Sequence, residues 1–318
     1  MSRTLAEQSI SSIDDLAHAV AGIAHVEEPH LDCQSKLRRL RLLKDPYDNE
    51  LAEAKAKLDV WEADLRNLDS WSLQWFVYWI TCDVANEKER CEKGRKKAKE
   101  LVAEAQSKVD MTSEKIKELE ESDEKYSVDY RSLQRYREEL SELLDSIFDQ
   151  HEQGFPTEKE IRAQVAEARA YLEKAKSDVE KLKSVKELLK TADFALLEAI
   201  VELRQSNDNK SVGEGRIYFP EKAFNALKEA RELYPELPSM EKPKDYINEA
   251  DNTGAFYSPL QRYLWEVRKE IEKLIEWVDS QDSVLLDEER KHTLVLGAKV
   301  DEWNLERRRL VKEVILNA

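Results

Sequence analysis

The sequence predicts an all-α fold, an elongated antiparallel helical bundle with a long coiled-coil hairpin. Two observations carry the prediction. Glycine and proline number only 7 and 8 in 318 residues, too few to punctuate a strand-and-turn protein. Aliphatic residues also recur at alternating steps of three and four over most of the chain. That spacing places one apolar stripe along a helix and, when sustained, builds a coiled-coil seam. A hydrophobic share of 41% supplies a core despite a charged share of 37%, which excludes global disorder.

Residues 1–45 read as short N-terminal helices. Ile10, Ile13, Leu16, Val20 and Ala24 share one face, Pro29 is expected to close this helix, and "CQSKLRRLRLLK" forms the next. Asp45-Pro46 fits an N-cap followed by proline at the first helical position. It opens a segment, 46–205, expected to form one long helical hairpin or coiled coil. Leu51, Ala54, Leu58, Trp61, Leu65 and Leu68 lead into "WSLQWFVYWITC" (71–82). This run is far shorter than the ~20 residues of a membrane span, and apolar nearly all round, so it is expected inside a core; removing Trp75 there should cost at least ~3 kcal/mol.

Beyond Gly94 a heptad seam runs through Ala98, Val102, Ala105, Val109, Thr112, Ile116 and Leu119. It stays in phase to Leu133, Leu140, Leu144 and Ile147, with Asp123 and Arg137 as its weak points. Gly154 suits a helix end, and Thr157 with Glu160 a capping box. A second seam follows from Ile161 to Leu203, with Lys186 and Asp193 in phase; Thr191 to Asp193 could cap and re-aim the chain. The two seams are expected to fold back on each other about Gly154.

Residues 206–258 gather glycine, proline, asparagine and serine into an irregular insertion, with one helix from about Pro220 to Leu233 and an extended "GRIYF" before it. Residues 259–318 read as a C-terminal helical hairpin packing on the bundle, its first helix capped by Ser258-Pro259 and its turn near Asp282-Ser283.

The composition also narrows function. A net charge of −16 disfavours general attraction to nucleic acid, and no nucleic-acid partner is expected. Cys33, Cys82 and Cys91 form neither a metal-ligand spacing nor a disulfide framework. The opening residues lack the basic-then-apolar order of a signal peptide, so a cytoplasmic location is expected. Glu289-x-x-His292 and Asp15-x-x-His18 have the spacing of bundle metal ligands, but such pairs arise readily among 67 acids and five histidines; Glu27-x-x-His30 is interrupted by Pro29. No nucleophile elbow, phosphate loop or zinc-protease motif is present. Neither catalysis nor a cofactor is expected.

What stands out is basic. "KLRRLRLLK" carries Lys36, Arg38, Arg39, Arg41 and Lys44; "RCEKGRKKAK" includes Arg95, Lys96 and Lys97; "ERRRLVK" carries Arg307, Arg308 and Arg309. These form the candidate interaction surface unless neighbouring glutamates pair them off. The expectation is a non-catalytic scaffold or protein-interaction module, binding protein partners or itself. The alternative is a peripheral membrane-binding module, similar in helix architecture to BAR domains, whose basic clusters meet an anionic surface.

Overall fold

The computed structural model describes residues 2–70, 76, 84–149, 155–206, 220–240 and 259–315. Every regular element among them is helical, and the protein is an all-α helical bundle. The elements are α1 (Ser2–Ile23), a 3-10 turn (Ala24–Val26), α2 (Glu27–Asp69), α3 (Val84–Phe148), α4 (Pro156–Ser206), α5 (Glu221–Leu233) and α6 (Pro259–Leu310), which ends in a π turn (Val311–Ile315). The chain divides into two compact units, Met1–Asp149 and Gln150–Ala318.

In the first unit α1 and α2 pack along α3. The direction is antiparallel. Glu27 meets Arg137, Gln34 meets Asp123, Arg41 meets Glu120, Glu50 meets Lys108 and Asp69 meets Lys88. The core is the seam read from the sequence: Leu37, Leu51, Ala54, Leu65 and Leu68 close on Ala98, Ala105, Leu133, Leu140 and Leu144, while α1 adds Ile13 and Val20. At 65 residues, α3 is roughly 97 Å long by its rise per residue.

In the second unit α4 and α6 run antiparallel, with Glu158 opposite Trp303, Lys186 opposite Asp279 and Asp193 opposite Arg268. The expected helix at Pro220 to Leu233 is present as α5 and lies on α4. Its buried Ala223, Ala226 and Ala230 allow close approach. Around it sits the unit's main core, with Leu182, Leu189, Leu196, Leu264, Val267 and Ile271.

Several expectations need correction. Within the units, the α3 seam is covered by α2 and α1, and the α4 seam by α6 and α5. Heptad spacing identifies an apolar stripe but not its partner, and α2 and α6 each offered a stripe of matching length. Likewise α6 is one helix of 52 residues that passes through Asp282 and Ser283 without the predicted turn. Both residues are weak helix formers rather than breakers, and Leu286 keeps the seam buried beyond them.

Prolines also read differently. Pro29 does not close a helix but sits in the first turn of α2, where its missing N–H costs nothing. Pro46 lies inside α2. An interior proline costs ~3 kcal/mol or more, offset here by Leu37 before it and Leu51 and Ala54 after it, all packed on α3. The capping box gives way to Pro156 at the first position of α4, with the Lys159 N–H donating to the Phe155 carbonyl at 3.0 Å. Thr191 donates back to the Glu187 carbonyl without ending the helix.

The aromatic run 71–82 lies outside the described residues except Phe76, which is helical and half exposed. All-round burial is not met at that position. "GRIYF" and the rest of the insertion beyond residues 220–240 are also outside the described residues.

Candidate functional site

The charged positions on the seams are paired across helices. Arg137, nearly buried, donates from both terminal nitrogens to both carboxylate oxygens of Glu27, at 2.6 and 2.7 Å. Close by, Asp123 accepts the Gln34 side-chain amide at 2.5 Å. Its other oxygen lies 2.9 Å from His30 Nδ1. The His30 ring stacks on Tyr130 with centroids 4.3 Å apart. Burial, and next the Glu27 charge, raise the Tyr130 hydroxyl above its ordinary pKa.

The second unit repeats the device. Lys186 pairs with Asp279 at 2.5 Å, and Asp193 takes the Arg268 guanidinium at 2.7 and 3.2 Å. Near the end of α6, Trp303 donates its indole N–H to the buried Glu158 at 2.8 Å. Arg307 lies 3.6 Å over the Trp303 ring and donates to Asn304 at 2.5 Å. Buried ion pairs contribute little net stability, because desolvation consumes most of the Coulombic gain, but they penalise wrong pairings strongly.

The three basic clusters fare differently. In the first, Lys36 pairs with Asp32 and Arg41 with Glu120. Arg38 and Arg39 also have partners, whereas Lys44 has none among the described residues. In the third, Arg307 is fully buried, its guanidinium stacked on the Trp303 ring one turn earlier in α6, and so is no part of the expected surface. Arg309 is held by Glu306 and Glu313, which keeps its guanidinium charged and draws the Glu306 carboxyl below its usual range, chiefly through the hydrogen bond from Arg309. Arg308 is also engaged. The middle cluster is the exception. Arg95, Lys96, Lys97 and Lys99 make no side-chain ion pair or hydrogen bond among the described residues.

That middle cluster borders a groove. Trp61 of α2 lies against the backbone of α3 at Gly94, where a Cβ would come within 2.7 Å of the indole ring. The lack of a side chain at Gly94 is what lets the indole lie there. Behind it Trp61 packs on Leu65, Leu68 and Cys91. In front, Trp61 and Asn86, Glu89, Arg90, Lys93, Gly94 and Lys97 line an open groove of about 470 Å³. Lys93 is held by Glu89 at 2.6 Å and Arg90 by Glu87 at 3.3 Å, leaving Lys97 unneutralised. In the sequence Trp61 falls on a seam and Gly94 at a boundary; the antiparallel register of α2 on α3 joins them.

Residues considered for chemistry lie apart. His292 stacks on Tyr171 at 5.7 Å, and Asp15 and His18 are exposed on α1. Among the described residues no three histidine, cysteine or acidic side chains gather as metal ligands. Burial first, then neighbouring carboxylates, push the Cys33 and Cys91 thiols above their ordinary pKa. Among the described residues no helix is long and apolar enough to cross a membrane.

No family model matches the chain, and no curated protein or solved structure matches it.

Proposed function

We propose that the protein is a non-catalytic helical scaffold, a pair of coiled-coil units that presents docking faces to protein partners or to further copies of itself. One observation carries the reading. The charged residues that interrupt the two long seams, Asp123, Arg137, Lys186 and Asp193, each meet a polar partner on the facing helix. Such layers add little stability and fix which residue faces which, the property a spacer of constant length needs. The reading is tested by cross-linking the intact chain in the cells that make it and reconstituting the complex from purified components. A stoichiometric complex cross-linked on exposed faces of α3, α4 or α6 is expected. A chain that stays monomeric and alone, or that turns over a substrate, would end the reading.

The unpaired cations at 95–99 favour a second reading, peripheral binding to an anionic membrane through this cluster. Salt-sensitive cosedimentation with phosphatidylserine vesicles would support it; no cosedimentation at low salt would exclude it.

A further inference from the structure

We propose that the groove between Trp61 and α3 is the docking site for an acidic helical segment of a protein partner, one that seats a single apolar side chain on the indole. This deepens the scaffold reading and rests on it.

Charge is the first argument. In a chain of net charge −16, this cluster keeps its cations unspent: Arg95, Lys96, Lys97 and Lys99 have no side-chain partner among the described residues. Of the cations that line the groove, Arg90 and Lys93 meet Glu87 and Glu89 on exposed ends, and Lys97 has no partner among the described residues. Cations left together on an acidic protein mark a place where an anion is taken up.

Spacing is the second. Arg90 and Lys97 are seven residues apart on α3, so they share a face roughly 10 Å from end to end, with Gly94 and the Trp61 indole between them. Carboxylates seven residues apart on a facing helix match that distance. The residue one turn in from either then falls on the indole. A groove of about 470 Å³ accommodates one large aliphatic or aromatic anchor.

The arrangement suits a helix better than a lipid surface. At 3.6 residues per turn, Arg95 and Lys99 emerge on the side of α3 away from Arg90 and Lys97. A flat membrane can touch only one of these sides, whereas the summed field of both attracts an acidic segment into a concave seat. Arg38, Arg39 and Arg41 already have partners and add no second patch.

The test is a display library of randomised helical peptides selected on the intact protein. Enriched sequences are expected to carry acidic residues seven apart bracketing an apolar one. Their affinity should fall at least about tenfold in both Lys97→Glu and Arg90→Glu, and stay unchanged in Lys44→Glu, which reverses an unpaired cation on another stretch of α2. Both groove variants alter solvent-facing ends of side chains, and an unchanged unfolding midpoint would verify their fold. No enrichment, enriched peptides without acids, or acidic peptides that bind both variants as well as the parent would overturn the proposal. So would phosphatidylserine vesicles bound by the parent and released by the same variants, since the site would then belong to a lipid headgroup. A reconstituted partner complex that cross-links elsewhere, together with failed selection, removes the groove and leaves the scaffold, so the two readings fail separately.

Discussion

Arg137 and Glu27 face each other across the α2–α3 seam, joined by two parallel hydrogen bonds at 2.6 and 2.7 Å, with both side chains nearly buried. This geometry determines how the pair responds to mutation. Arg137→Met leaves the Glu27 carboxylate buried without its cation, and the cost should be about 3–5 kcal/mol. The double variant Glu27→Met with Arg137→Met should recover most of that loss, because the desolvation penalty disappears with both charges. Urea unfolding of the three variants checks it; a double variant no more stable than the single one would refute the account.

Tyr130 makes the first unit sensitive to alkali. Burial raises its pKa in the folded state, so between the ordinary value near 10 and the raised one the unfolded chain loses the proton first. Stability contributed by the neutral phenol is therefore complete below pH ~10 and declines as pH rises through the folded value. Tyr130→Phe should show a shallower loss of stability than the parent as pH rises above the ordinary tyrosine value. Equal slopes in pH-dependent melting would rule this out.

Gly94→Ala sets two effects against each other. Alanine in place of glycine inside a helix gains about 1 kcal/mol. Its Cβ, however, would stand 2.7 Å from the Trp61 ring, and the indole must leave Leu65, Leu68 and Cys91. Stripping a tryptophan of such contacts costs about 3–5 kcal/mol when complete; Trp61 is only partly buried, so a net loss of ~1–2 kcal/mol is expected. In a Trp61→Leu background the sign should reverse. Stabilisation by Gly94→Ala in both backgrounds would show that the ring moves freely.

Cys33 and Cys91 should be poor nucleophiles. Their thiols are held above the ordinary value of 9.0 by burial and neighbouring carboxylates, so little thiolate exists at neutral pH. Alkylation with iodoacetamide, mapped by mass spectrometry, should be slower at both than at a cysteine in an unstructured peptide, and Cys91, only 1% exposed, should be slowest. Fast modification of Cys91 in the folded chain would contradict its packing.

How far the sequence reveals this molecule depends on the kind of information asked of it. The seam on α3 was legible because burial imposes the same periodicity on any partner: Ala98, Ala105, Leu133, Leu140 and Leu144 are buried as their spacing requires. Which helix covers them was not legible, since Leu51, Ala54 and Leu65 present a stripe as suitable as that of Ile161 and Val165. The strongest clue lay in the seeming defects. Asp123 and Arg137 demand opposite partners, and Glu27 and His30, set aside because of Pro29, were the residues able to supply them. The groove was half legible: the cations showed in the sequence, but Trp61 and Gly94 stand 33 positions apart in the chain and meet only once the register of α2 on α3 is known.

Pro46 leaves a crease in α2. Without an N–H, it cannot reach back to the Leu42 carbonyl, so one turn of a 43-residue helix lacks a backbone hydrogen bond, with Leu43 half uncovered outside it. Amide hydrogens around residues 42–46 should therefore exchange with solvent ahead of those beside Leu37 and Leu51. Under tension or bending, α2 should yield first at this turn, while unbroken α3 behind it keeps the ends together.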